Sequence, residues 1–165
     1  MVQTTKLKLS AGILIYRRGA DGIELLLVHP GGPFWANKDE RAWSIPKGEY
    51  DEGEDPLAAA KREFAEELGS APPRRPFLDL GAIKQPSRKA IRAFAAEGDF
   101  DPATLKSNRF ELEWPPKSGR KQSFPEVDRA EWFAPSQARV KIQPGQAPFI
   151  DRLLEGLGDD GGGQR

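Results

Sequence analysis

The chain has 165 residues, and its 25 lysines and arginines are balanced by 25 aspartates and glutamates, beside one histidine. A formal net charge of zero argues against a bulk basic field that would wrap nucleic acid or coat a membrane, so the expected partner is a small molecule. The absence of cysteine excludes disulfides, thiolate metal sites and cysteine nucleophiles.

Residues 1–10 are polar and alternating, without the apolar centre of a secretion signal. No apolar run approaches the roughly 20 residues that span a bilayer. The expectation is a soluble cytoplasmic protein. Its length suits a single domain over residues 1–157, followed by a flexible tail, 158–165, whose GDDGGGQR has nothing to bury.

Residues 6–16 (KLKLSAGILIY) begin with alternation and end fully apolar, which predicts a strand. Asp21-Gly22 is a turn signal, and 23–29 (IELLLVH) pairs back as the second arm of an antiparallel hairpin. A Gly- and Pro-rich loop, 30–41, follows. A short strand at 42–45 leads into Pro46-Lys47-Gly48. Asp55 before Pro56 predicts a helix start, with Asp as N-cap and Pro where its missing N–H does no harm. That helix runs over 56–68 and stops at Gly69. Strands are predicted at 77–84 and 90–96 around a turn, at 110–114, and more weakly at 128–133. A second helix within 144–157, starting near 146–148, carries Phe149, Ile150, Leu153, Leu154 and Leu157 on its apolar side. This order of elements predicts an α+β fold, a mixed sheet with helices on its faces.

The helix over 56–68 raises a physical question. Leu57, Ala60, Phe64 and Leu68 form one apolar stripe. Glu63, Glu66 and Glu67, at i, i+3 and i+4, converge beside it, where like charges repel and the helix C-terminus worsens the repulsion. A hard cation with oxygen ligands would relieve this crowding, and magnesium or manganese fits. Taken alone, such a helix is better read as a solvated acidic edge. The loop before it, with Gly48, Gly53 and Glu54, adds a second element. An EF-hand does not match its spacing, because the second Asp/Asn ligand and the central Gly are missing after Asp51.

The unit from Gly48 to Ser70 resembles the Nudix box of the Nudix hydrolases, GX5EX7REUXEEXGU, in which U is a bulky apolar residue. Gly48, Glu54, Arg62-Glu63-Phe64, Glu66-Glu67 and Gly69 match it in place, and Ser70 departs from the final apolar position. The resemblance implies the Nudix fold, an α/β/α sandwich around a mixed β-sheet, and cation-assisted hydrolysis of a nucleoside diphosphate linked to another moiety. It further implies Glu63, Glu66 and Glu67 as metal ligands, with the backbone carbonyl of Lys47 as a fourth, and Mg2+ or Mn2+ as the cofactor. Arg62 is expected to orient a glutamate and the loop, with Glu54 as its partner.

Glu126, in the loop 123–128, is the candidate outside the box for accepting the proton of the attacking water. An ordinary loop acid is the competing reading. Lys47 is a candidate phosphate contact, against a solvated lysine. Trp35 and Trp43 are candidates for stacking on a base. Trp35 suits that role better, and Trp43 suits packing beside the box. His29 is either a contact at the pocket mouth or a plain strand-end residue, and Trp132 is expected in the core. The stretch Trp43-Ser-Ile-Pro-Lys-Gly48 is similar to the W-x-x-P-K-G lead-in of Nudix enzymes acting on diadenosine and diphosphoinositol polyphosphates or oxidised nucleoside triphosphates. The neutral chain disfavours the inositol compounds. The expected substrate is a nucleoside polyphosphate, with a dinucleoside polyphosphate such as diadenosine tetraphosphate first. Nucleoside triphosphates come next, and ADP-ribose or nucleotide sugars third. A nucleotide-sensing module without catalysis is the non-enzymatic alternative.

Overall fold

In a computed structural model, residues 7–74 and 76–158 are described. The first two strands explain the rest of the architecture. β1 (Lys8–Gly19) and β2 (Gly22–Pro30) form the expected antiparallel hairpin, with Tyr16 opposite Leu25 and Gly22 at a φ of 118° closing the turn. In both strands the apolar run is buried on two faces. Ile13, Ile15, Leu26 and Val28 point into one core, and Leu14, Leu25 and Leu27 into another. A strand buried on both sides needs cover on both sides, which selects a three-layer sandwich.

β3 (Lys47–Tyr50) pairs antiparallel with β1, placing Gly48 opposite Ala11. β4 (Leu78–Gln85) and β5 (Lys89–Glu97) are antiparallel neighbours, and β5 runs parallel to β1 from Lys8↔Lys89 to Tyr16↔Glu97. β6 (Arg109–Glu113) and β7 (Lys121–Pro125) form a separate two-stranded ribbon. β8 (Val127–Phe133) closes the main sheet against β2, giving the order β4-β5-β1-β2-β8 with β3 added to β1.

α1 (Pro56–Leu68) covers one face through Ala59, Ala60, Phe64 and Leu68. Its caps are those the sequence predicts. The Asp55 carboxylate accepts from the Ala58 N–H at 2.9 Å, and Gly69, at a φ of 82°, returns its N–H to the Ala65 carbonyl at 2.8 Å. α2 (Pro135–Lys141) and α3 (Ala147–Gly156) cover the other face, α3 through Phe149, Ile150, Leu153 and Leu154.

The structure departs from the sequence reading in four places. Residues 42–45 form no strand. Only isolated bridges, Val28↔Ser44 and Trp43↔Ile142, tie them down, and the strand begins at Lys47. β7 has mostly exposed residues and α2 buries only Pro135 and Ala138, so neither carries a hydrophobic period to read. Trp132 is half-buried, with the Arg17 guanidinium 4.2 Å from its ring centre. The predicted tail, apart from Gly158, lies outside the described residues, as do Lys6 at the predicted start of the first strand and Arg75. Among the described residues no helix is long and apolar enough to cross a membrane.

The stretch before β3 is held by a buried side chain. The Gln146 Oε1 accepts from the Ile45 N–H at 3.0 Å, and its Nε2 donates to the Ser44 hydroxyl at 3.0 Å. Replacing Gln146 by Leu keeps the volume but orphans a buried N–H, a loss of about 1–3 kcal/mol. Urea unfolding of Gln146→Leu beside the parent chain measures it, and an unchanged midpoint would show that Ile45 finds another acceptor.

Candidate active site

The apolar stripe of α1 fixes which way its acids face. With Phe64 and Leu68 anchored under the sheet, Glu63 and Glu67 are turned toward β3, and the Glu66 carboxylate lies beside Arg62. The Lys47 N–H donates to Glu67 Oε1 at 3.3 Å. Gly48 lies against Glu63 so closely that a Cβ there would overlap its carboxylate, which gives the first glycine of the box its physical reason.

Arg62 sits among the acids as expected. It pairs with Glu54, stands 3.2 Å from Glu63 Oε2 and 3.6 Å from Glu66 Oε1, and reaches the Glu49 carbonyl at 3.4 Å. One guanidinium thus ties the loop to the helix and neutralises part of the cluster.

Glu126 is brought to the site by a run of backbone bonds. The Asn108 N–H donates to the Glu66 carbonyl at 2.8 Å, the Glu126 N–H to the Asn108 carbonyl at 2.8 Å, and the Gly31 N–H to the Glu126 carbonyl at 2.9 Å. Gly31 is required there, since a Cβ would overlap the Pro125 carbonyl. The result is a pocket of about 270 Å3 whose lining includes Glu67, Glu126, Lys47, Trp35, Ile45 and Gln143.

Electrostatics mark this pocket. Burial pushes the Glu67 carboxyl up to about 8; Lys47 opposes the shift, and Glu126 and Glu63 add to it. Burial also raises Glu63, against its bond to Arg62, and raises Glu126, helped by Glu63 and Glu66. Carboxylates from two separate elements therefore repel across one cavity. Among the described residues no three acids or histidines already stand close enough to enclose an ion. The donors nevertheless suit a hard divalent cation. They are all oxygen, crowded and half-buried, and the charge they lack is supplied only in part by Arg62 and Lys47.

The other sequence candidates separate clearly. Trp35 lines the pocket and is half-buried, with Lys38 Nζ 5.4 Å from its ring centre. Trp43 does not reach the pocket; it is 1 % exposed, bonded to Asp39 and packed edge-on against Phe133. His29 is equally buried. Its Nδ1 lies 2.8 Å from Asp128 and its Nε2 2.6 Å from the Lys38 carbonyl, so both ring nitrogens are occupied within the protein. Both are corrections to the substrate contacts proposed from sequence, and in each case the apolar side of the ring found a place in the core. Gln143 and Ile45 in the pocket wall were not foreseen, since Gln143 lies in no motif and Ile45 fills an unspecified position of W-x-x-P-K-G.

A profile of the NUDIX domain matches residues 6–153, most of the chain. The chain belongs to the NUDIX family. Curated relatives are the RNA pyrophosphohydrolases of Caulobacter vibrioides, 42% identical over 52 residues, and Rhodospirillum rubrum, 38% identical over 65 residues. Those matches span 28% of this chain and 30% of the first relative, and 38% of each chain for the second. Among solved structures, an Ap4A hydrolase of Caenorhabditis elegans matches with a TM-score of 0.64 at 20% identity, covering 90% of this chain and 98% of that one. The NUDIX domain of Shewanella oneidensis NrtR, complexed with ADP ribose, matches with a TM-score of 0.64 at 16% identity, covering 94% and 90%. These likenesses establish the fold, an α/β/α sandwich around a mixed sheet.

The buried acids carry a pH signature. The folded-state value of Glu67, about 8, lies above the ordinary 4.5, so its contribution to stability is fully present below pH 4.5 and is lost as pH rises through about 8. Melting of the cation-free protein is expected to fall over that window, and to fall less in Glu67→Gln. A larger loss of stability in Glu67→Gln than in the parent at every pH would make Glu67 a structural residue.

Proposed function

We propose that the protein is a divalent-cation-dependent pyrophosphohydrolase that cleaves a phosphoanhydride bond in a nucleoside polyphosphate. The observation that carries this reading is the meeting of Glu67 on α1 with Glu126 ahead of β8, across a pocket that also holds Lys47 and Trp35. A bare acidic surface would need no such convergence from separate elements.

The assigned roles follow from position. Glu63, Glu66 and Glu67, with the Lys47 carbonyl, would hold Mg2+ or Mn2+. When bound, the cation neutralises phosphate charge, polarises the phosphoryl oxygens and acidifies water. Arg62 keeps Glu63 and Glu66 in place and locks the loop through Glu54. Glu126, on the opposite wall, accepts the proton of the attacking water. The Lys47 side chain offsets negative charge on the phosphates, and Trp35 stacks on the base. Little covalent work falls to the protein, so positioning and charge dominate. The complete set of Glu63, Glu66 and Glu67 supports catalysis over a role in nucleotide sensing alone.

The leaving group has two supported readings. A dinucleoside polyphosphate is favoured by the lead-in from Trp43 to Gly48, which is similar to that of Nudix enzymes acting on diadenosine polyphosphates. The 5′-polyphosphate end of an RNA is favoured by the name of the curated relatives that share part of this sequence.

Two experiments test the reaction. Activity on a nucleotide panel should vanish in excess chelator and return with magnesium. Glu67→Gln should lower kcat at least the 10²-fold or so typical of losing one well-placed electrostatic group. Asp51→Asn, an exposed acid in the same loop region, should stay within a few-fold; equal effects at the two positions would leave the family membership standing and remove the mechanism.

Trp35 gives the second test. It lines the same pocket as Glu67 and Lys47, so it belongs under the nucleoside that every substrate shares. Trp35→Ala should weaken adenosine triphosphate and diadenosine tetraphosphate alike, by about 1–3 kcal/mol. A loss confined to the two-headed substrate would move Trp35 to a second base.

A further inference from the structure

The ribbon β6–β7 and the residue before Trp35 remain unused by the reaction above. Phe34 is 59% exposed, a large apolar ring left in water. It stands edge-on to Trp114 at the end of the ribbon, with ring centres 5.3 Å apart. Neither ring is placed there by chance flexibility of a loop. Gly32, at a φ of 93°, lies against Phe110 so closely that a Cβ would come within 2.9 Å of that ring, and Phe110 packs on Phe124 across the ribbon. The Trp114 N–H donates to the Arg120 carbonyl at 2.9 Å, and Gln122 donates to the Trp114 carbonyl at 2.8 Å.

The same ribbon delivers Glu126 to the pocket, since β7 ends at Pro125. Phe34 adjoins Trp35 in the pocket wall, and consecutive Cα atoms are about 3.8 Å apart. Beyond Trp114, the turn carries Lys117, Arg120 and Lys121, all exposed and none of them ion-paired among the described residues. Of the ribbon's acids, Glu113 accepts from the Gly119 N–H inside the turn, and Glu111 lies on the stem opposite Ser123. An aromatic platform followed by unpaired cations is the arrangement that holds a single nucleic-acid strand.

Resting on the hydrolytic reading above, we infer that Phe34 and the ribbon form an arm for a single-stranded, 5′-polyphosphorylated oligonucleotide: its second base stacks on the Phe34–Trp114 pair and the phosphates that follow meet the basic turn. Charge separates this occupant from a dinucleoside polyphosphate. The latter ends at its second base, leaving nothing anionic for Lys117, Arg120 and Lys121. A strand carries one phosphate with every further nucleotide. The zero net charge of the chain is no obstacle, because only a local patch is engaged.

The test compares three substrates: a 5′-triphosphorylated RNA of about eight nucleotides, within the usual reach of single-strand sites, diadenosine tetraphosphate and adenosine triphosphate. Phe34→Ala should lower kcat/KM on the RNA by roughly 5- to 150-fold, with the triphosphate changed by about twofold or less and Phe34→Tyr restoring the RNA rate. The double variant R120Q/K121Q should flatten the salt dependence of the RNA KM by about 0.7 logarithmic units for each phosphate that is no longer neutralised. Equal loss on all three substrates, no loss on the RNA, or a loss confined to diadenosine tetraphosphate would each overturn the arm as a strand site. The arm is also read without turnover, by binding of the same RNA, labelled at its 3′ end, to Glu67→Gln with and without Phe34→Ala. If the parent chain cleaves none of the three, the reaction assignment fails. Weaker binding on loss of Phe34 would still support the arm, and unchanged binding would overturn it.

Discussion

The burial of one carboxyl group, Glu67, governs the rest of this molecule. An acid placed among Glu63 and Glu126 in a wall of protein costs free energy in its charged form, and the fold meets that cost in steps. The Lys47 N–H gives it a hydrogen bond, the Lys47 side chain gives it a counter-charge, and Arg62 takes up the neighbouring Glu63 and Glu66. None of these fully neutralises the cluster. The remainder is a standing demand for positive charge at the pocket, which is what the proposed phosphoryl-transfer chemistry would need before any substrate arrives. The scaffold can carry the strain because β1 and β2 bury apolar side chains on both faces and α1 is anchored by Phe64 and Leu68.

Most of that scaffold was legible because each element declares itself locally. α1 is bounded by Asp55-Pro56 and Gly69, and the structure uses both as caps. The hairpin of β1 and β2 has a glycine at its turn and apolar runs that only two-sided burial satisfies. The box residues were legible for a different reason. Gly48, Glu54, Arg62 and the three glutamates are fixed in spacing because their contacts are short-range, running within one loop and one helix.

What was not legible depends on distance along the chain. Gln146 holds Ile45 from a hundred residues away, and no local pattern announces it. Trp43 and His29 were candidates for ligand contacts because aromatic and titratable side chains beside a motif invite that reading, although packing already suited Trp43 better. Their polar atoms are instead satisfied by Asp39, Asp128 and the Lys38 carbonyl, which lets the rings pack inward. Glu126 was nominated from its position, but its role could only be weighed once the backbone run from Glu66 through Asn108 brought it to the pocket. α2 and β7 have too little buried surface to leave a periodic trace.

Net charge misleads for the same reason that local patterns succeed. Summing the chain to zero averages an acidic pocket with a basic turn, although screening confines each to its own neighbourhood, since at physiological ionic strength a charge is felt over about 8 Å. On the proposed reading, the pocket around Glu67 and the turn at Lys117 to Lys121 would act as separate fields on different parts of one ligand. Phosphates about to be cleaved need a cation among acids. Phosphates that only hold the ligand in place need bare lysine and arginine. A chain that did both tasks would end with balanced totals, and what separates them is where the ribbon and α1 put each sign.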